Sequence, residues 1–248
     1  MDKCYVRLNG RLGNQLFQIA AGYNYSRKFD KELIIYECPY QLSRGYYQDN
    51  CGTPYKNSIF ENLKFSNIEF NTINLTEENI HNFYAGDVST DGLVGYFQSL
   101  DYFKEVSDDY KKLLVLPELS KDLVADVAFH IRRGDYMDIP NASSICNTEY
   151  FNKCFERFTN LNVNIFTDSP NHVITEFENI PFTIIQTGST IKDLTLISMH
   201  DNVVCSNSSF SWWGSFLGSP KKEIIVPPRW MVDSECSEIY REDFTKLL

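Results

Sequence analysis

Within six residues the chain places an imidazole, two guanidiniums and a carboxylate: His130-Ile131-Arg132-Arg133-Gly134-Asp135. The planar fork of arginine grips phosphate oxygens with paired, charge-assisted hydrogen bonds, so Arg132 and Arg133 point to a phosphate-bearing ligand. Gly134 lets the backbone turn closely around it. The competing reading is a solvated surface in which both arginines pair with Asp135 and acidic neighbours, easily arranged at a net charge of -10. His130 alone reads equally as a satisfied core histidine or a ligand contact.

Two further clusters carry polar chemistry. Near the start, Gly10-Arg11-Leu12-Gly13-Asn14-Gln15 reads as a glycine-punctuated turn into a helix, where free N–H groups favour an anionic or hydroxyl-rich ligand. Asn14 and Gln15 add donors and acceptors there, although an ordinary strand-to-helix connection fits as well. Late in the chain, Ser206-Asn207-Ser208-Ser209-Phe210 opens a helix and offers a second phosphate cradle built from hydroxyls and N–H groups. Trp212 and Trp213 just beyond read as core packing. Asp168 is either a ligand or arginine partner or a simple cap before Pro170. Asp193 is either a first-turn carboxylate that suits the helix dipole or a guanine reader.

The elements that must position these groups follow from periodicity. Strands are expected at Tyr5–Asn9, Lys31–Glu37 and Leu93–Ser99, with helices from Leu16 to about Phe29 and from Asp101 to Leu114. The stretch from Cys38 to Gly92 has only short periodic pieces, around Ile59–Phe65 and Thr76–Phe83. Its tyrosines Tyr40, Tyr46, Tyr47 and Tyr55 suit loop packing, with a sugar-stacking groove as the alternative. Leu116–Lys121 reads as a linker, dividing the chain into residues 1–118 and 119–248. Beyond it the pattern alternates: strands Val124–Arg132, Val163–Thr167, Phe182–Gln186, Asn202–Cys205 and Glu223–Val226, with helices Thr148–Phe158, His172–Phe177, Ile191–Met199 and one from Ser209. Such alternation makes a parallel, doubly covered α/β sheet, in which ligands bind beyond the carboxyl ends of the strands.

Composition removes several function classes. An apolar content of 43% with 15% aromatics is globular, and a pI near 4.9 argues against a nucleic-acid binder or an electrostatic membrane anchor. Seven cysteines are scattered without a C-x-x-C pair, which suits reduced thiols, a Cys38–Cys51 bridge being the alternative. No stretch reads as a signal peptide or membrane span, so a cytoplasmic protein is expected, or one peripheral at the inner face of a membrane. The sequons at Asn74, Asn141 and Asn207 then have no role.

Taken together, Gly10–Gln18, His130–Tyr136 and Ser206–Gly214, with Gly95-Tyr96-Phe97-Gln98-Ser99 between them, resemble the alpha-1,2-fucosyltransferases of glycosyltransferase family 11, over roughly Tyr5 to Trp230. The resemblance implies an α/β, GT-B-like fold of two Rossmann-type domains with parallel sheets, the first on the acceptor side and the second binding GDP-fucose. It implies inverting transfer of L-fucose to the 2-hydroxyl of a terminal galactose in a glycan or surface-polysaccharide precursor, with no metal or other cofactor. By the same resemblance Arg132 holds the pyrophosphate, His130 sits by the nucleotide, and Asp168 lies by the nucleoside, with Arg133 counted among the donor-binding residues. Asp193 reads guanine, Ser208 and Ser209 support the phosphates, Asn14 lies near the reaction centre, and Gly13, Asn207 and Phe210 are further donor-binding residues. Inversion also requires a base for the acceptor hydroxyl; Asp135 is the candidate, or it simply orients the arginines. The rivals are a fucosyltransferase of another acceptor or linkage and a non-catalytic GDP-sugar or glycan-binding module.

Overall fold

The computed structural model describes residues 2–37, 53–68, 73–74, 92–138, 142–231 and 237–247. Two compact units divide between Val115 and Leu116. In the first, β1 (Lys3–Arg7), β2 (Glu32–Tyr36), β3 (Phe65–Ser66), β4 (Ile73–Asn74) and β5 (Gly92–Val94) form a parallel sheet in the order β3-β2-β1-β5-β4. Helix α1 (Leu12–Lys28) packs on it with 13 of its 17 residues buried, which is why its sequence shows little amphipathic contrast.

Helix α1 begins four residues before the expected Leu16. Gly10 adopts φ 74°, a left-handed conformation suited to glycine, and reverses the chain early enough for Gly13, Asn14 and Gln15 to form the helix's first turn. The single helix expected from Asp101 to Leu114 is instead two 3₁₀ turns, Leu100–Tyr102 and Lys104–Val106, followed by α2 (Ser107–Leu113). Ser99 Oγ caps the first turn by accepting from Asp101 N at 3.2 Å, and Asp108 and Asp109 supply first-turn charge where the α-helix begins. The expected strand to Ser99 ends at Val94, because the chain turns through Phe97 at φ 51°. Tyr55 packs edge-on to Phe60 with centroids 6.3 Å apart; Tyr40, Tyr46, Tyr47 and Thr76–Phe83 lie outside the described residues.

The second unit contains β6 (Val127–Ile131), α3 (Thr148–Arg157), β7 (Val163–Thr167), α4 (Pro170–Glu176), β8 (Thr183–Ile184), α5 (Thr190–Met199), β9 (Asn202–Val204), α6 (Ser209–Phe216), β10 (Glu223–Val226) and β11 (Phe244–Lys246). Its six strands are parallel in the order β11-β10-β9-β6-β7-β8. From β6 the chain runs outward through β7 and β8, then returns to the other side for β9, β10 and β11. The order therefore reverses between β6 and β9, and a dinucleotide-type sheet opens its ligand crevice at that switch. Alternation along β6 sends Val127, Phe129 and Ile131 into the core under α3 and Ala128 into the core beneath α5, leaving His130 on the same face as Ala128. Strand β11 has no counterpart in the sequence reading. Among the cysteines, Cys4, Cys146, Cys154 and Cys205 are buried thiols, while Cys38, Cys51 and Cys236 lie outside the described residues.

Candidate active site

In the second unit, three loops meet at the carboxyl ends of β6, β7 and β9. The loop after β6 uses three successive backbone N–H groups on side-chain acceptors from its neighbours. Arg132 N donates to Ser206 Oγ at 3.2 Å, Arg133 N to Asp168 Oδ1 at 3.0 Å, and Gly134 N to Ser169 Oγ at 3.0 Å. A Cβ at position 134 would strike the Asp168 carboxylate, so glycine is required for this approach. These three N–H groups are already committed, so the grip on an anion here falls to other groups, the Arg132 side chain among them.

The two arginines part company. Arg132 lies at the rim, its guanidinium paired with both Asp135 and Asp168 and lying over the Tyr136 ring at 5.4 Å. Arg133 turns into the fold, which corrects the expectation that both arginines face one ligand. Its Nε and Nη2 donate to Glu176 at 2.9 and 2.6 Å, and its Nη1 donates to Cys146 O at 2.8 Å. Its guanidinium also stacks over Phe151, 5.2 Å from the ring centroid. Burial raises the Glu176 carboxyl, but hydrogen bonds from Arg133 and Thr148 outweigh it and hold the group below the usual range. Arg133 is thus the internal anchor of the loop, and Arg132 is the guanidinium at its rim.

His130 is buried beneath Phe210, with ring centroids 5.3 Å apart. Burial, then the neighbouring Arg132 charge, lower its pKa from 6.5 to about 4, with Asp168 opposing. The imidazole is therefore neutral near pH 7. Between those two values the unfolded chain takes up the proton first, so stability falls as pH drops from about 6.5 towards 4. At ~1.4 kcal/mol per pH unit this amounts to about 3 kcal/mol. Buried His200 titrates in the same direction. Urea unfolding at pH 7 and pH 4.5 is expected to show the loss, and His130→Asn to remove much of it; equal slopes for the two proteins would refute the assignment.

The β9 loop is more internal than a cradle of exposed hydroxyls. Ser206 and Ser211 are fully buried, and Ser208 Oγ caps α6 by accepting from Phe210 N at 3.3 Å. Asn207 is 7% exposed, donates through Nδ2 to Trp230 O at 3.3 Å, and accepts from the Tyr136 hydroxyl on its carbonyl at 3.0 Å. Its buried Oδ1 has no partner among the described residues. Ser209 and Phe210 are half-buried at the first turn of α6. Trp212 and Trp213 are fully buried, as core packing requires. Asp193 sits after the edge strand β8, where its Oδ1 accepts from Thr187 Oγ1 at 2.6 Å and Thr187 N at 3.3 Å. It therefore shares the rim but lies two strands from Arg132.

In the first unit, the equivalent reversal of strand order lies between β1 and β5. Asn14 Oδ1 accepts from Gln98 Nε2 at 2.8 Å, tying the two strand ends together, while Gln15 Nε2 donates to Gly10 O at 3.1 Å. Gly13 is buried within the first turn of α1. The sequence reading did not identify Gln98, Tyr136, Ser169, Glu176 or Ser206 individually. Each has a partner 35 to 84 residues away, beyond any local pattern.

Among the described residues no group of His, Cys, Asp and Glu has the arrangement of a metal site, and no helix is long and apolar enough to cross a membrane. The family model for Glycosyl transferase family 11 matches residues 2–247. An alpha-1,2-colitosyltransferase of Escherichia coli is 27% identical, covering 92% of each chain. The O-antigen biosynthesis glycosyltransferase WbnK of Escherichia coli is 22% identical over 98% of this chain and 100% of its own. The solved fucosyltransferase NodZ from Bradyrhizobium matches with a TM-score of 0.56 at 13% identity, over 88% of this chain and 94% of its own. NodZ soaked with GDP-fucose matches with a TM-score of 0.50 at 13% identity, over 88% and 93%. The shared architecture is the GT-B type, with two all-parallel α/β sheets.

Proposed function

Because the chain belongs to glycosyl transferase family 11, we propose that it moves L-fucose from GDP-fucose, with inversion and without a metal, to the 2-hydroxyl of a terminal galactose. The observation that carries this reading is Arg132: a guanidinium at the sheet's switch point, on a loop whose backbone is tied down by hydrogen bonds to Ser206 and Asp168. Breaking the bond from fucose to phosphate builds negative charge on GDP. A prearranged guanidinium stabilises that charge more in the transition state than in the ground state.

In the free protein Arg132 carries two carboxylates, so an incoming diphosphate has to displace one. Asp168 is anchored through Arg133 N and its side chain is 27% exposed, whereas that of Asp135 is 44% exposed. Asp135 is therefore the group that swings away. Once it swings off the cation, its carboxylate is available to take the proton of the galactose hydroxyl, the role of base. Asp193 follows β8, two strands along the same rim from the strand that precedes Arg132, in keeping with its reading as the guanine contact. Asn14 is assigned to the sugar-binding side through its amide. Arg133 and Ser206 support the site without touching the donor.

The experiment is GDP release from GDP-fucose in EDTA, with and without a β-galactoside such as lactose. Acceptor-dependent release is expected, with linkage analysis of the product giving α-1,2. Donor binding without release across an acceptor screen would favour a binding module, and loss of activity in EDTA would overturn the metal-free mechanism. The colitosyltransferase relative supports one second reading. Colitose is fucose without its 3-hydroxyl, and running the same assay with GDP-colitose decides between the two donors.

A further inference from the structure

We infer that Ser206 is a positioning residue that locks His130 in the Nδ1–H form, leaving Nε2 as a bare acceptor for an O–H or N–H of the sugar-nucleotide donor. The argument is an accounting of one hydroxyl. Ser206 Oγ lies 2.6 Å from His130 O, a carbonyl that only accepts, so the single hydroxyl proton is spent there. One oxygen lone pair receives Arg132 N–H at 3.2 Å. The same oxygen lies 3.1 Å from His130 Nδ1. With its proton already given, it can only accept from that nitrogen, so Nδ1 carries the hydrogen. A neutral imidazole has one N–H, so Nε2 carries a lone pair. Among the described residues no hydrogen bond reaches Nε2, and the residue keeps 7% of its surface exposed.

The chemical consequence is selective. An ionised phosphate has no proton to give, so His130 does not share the work of Arg132. It accepts instead from a hydroxyl or a ring N–H of the ligand, two residues before the guanidinium of Arg132. Ser206 is fully buried and acts only through the histidine. A second histidine in the same unit uses comparable wiring for structure alone. His200 Nδ1 faces Leu196 O at 2.7 Å while Nε2 accepts from Ala125 N at 3.2 Å, so both of its nitrogens are occupied. His130 has the same protonation pattern with one position left open.

The ligand contact rests on the GDP-fucose reading; the tautomer does not. Ring ¹H–¹⁵N correlation spectra of the ligand-free protein, with His130 assigned by comparison with His130→Gln, are expected to show protonated Nδ1 and bare Nε2. Protonated Nε2 in the wild type would overturn the inference whatever any variant does. Adding GDP-fucose without acceptor is expected to shift the Nε2 resonance; donor binding seen by calorimetry with no such shift would overturn the ligand contact. Failure of GDP-fucose to bind would count against the functional reading and leave the Ser206 lock standing. Ser206→Ala is expected to mix the tautomers and raise the donor KM about tenfold, the loss of one neutral hydrogen bond, with a smaller change in kcat. Ser206→Thr, which keeps the hydroxyl, is expected to restore both the spectrum and KM. A folded Ser206→Ala protein with unchanged tautomer and KM would refute the assignment.

Discussion

Arg132→Ala is expected to lower turnover by two or more orders of magnitude while leaving the protein folded. Removing one preorganised donor from a site of developing charge costs about 2.7–4 kcal/mol in the transition state. Arg132 is the guanidinium at the rim of this loop, and the neighbouring N–H groups are already committed to Ser206, Asp168 and Ser169, so little is left to compensate. The fold tolerates the loss because both carboxylates keep other partners. Asp168 retains Arg133 N, and Asp135 is open to water. Arg132→Lys keeps the charge but not the two-armed grip, so it is expected to fall between wild type and alanine. Steady-state GDP release together with thermal unfolding tests the pair. Near-wild-type turnover in the alanine variant would remove Arg132 from the mechanism.

The adjacent residue is expected to behave in the opposite way. Arg133→Ala should destabilise the second unit by about 3–5 kcal/mol, because it removes the guanidinium from a buried carboxylate and leaves it only Thr148 and His172. Glu176 is 10% exposed at its side chain and takes both arms of the guanidinium; Cys146 O loses its donor as well. Replacing both members together with apolar residues should cost much less, since no uncompensated charge remains. Urea denaturation monitored by tryptophan fluorescence is suited to this test, as Trp212 and Trp213 are buried in the same unit. A stable Arg133→Ala protein that had lost donor affinity would return Arg133 to the binding role that its sequence position suggested.

The contrast between these neighbours shows where sequence reasoning succeeds and stops. Strands β7 and β10 have the boundaries expected from their apolar runs, and Trp212 and Trp213 are packed where their size and setting placed them. Those signals are local. Two consecutive arginines look alike in a sequence, and what separates them is Glu176, 43 residues away. The Asn14–Gln98 bond spans 84 residues and is equally invisible. The serine-rich loop suggested exposed hydroxyls, but the structure spends Ser206 and Ser211 on internal wiring. Strand β11 is short, and its flanking charges hid it; Arg241 makes the local fit by lying over Trp212, Phe216 and Phe244. The helix expected from Asp101 was read from spacing alone, while the acidic pair Asp108-Asp109 marked its true start.

The three amides of Arg132, Arg133 and Gly134 also fix the thermodynamic character of anything that binds beside them. Confining a residue's backbone costs about 1–2 kcal/mol, and in this loop that cost is met when the chain folds. A ligand arriving there encounters a surface with little motion left to surrender. Its association is therefore governed by desolvation and by the exchange of one ionic partner for another, and the conformational entropy of the loop contributes little to its affinity.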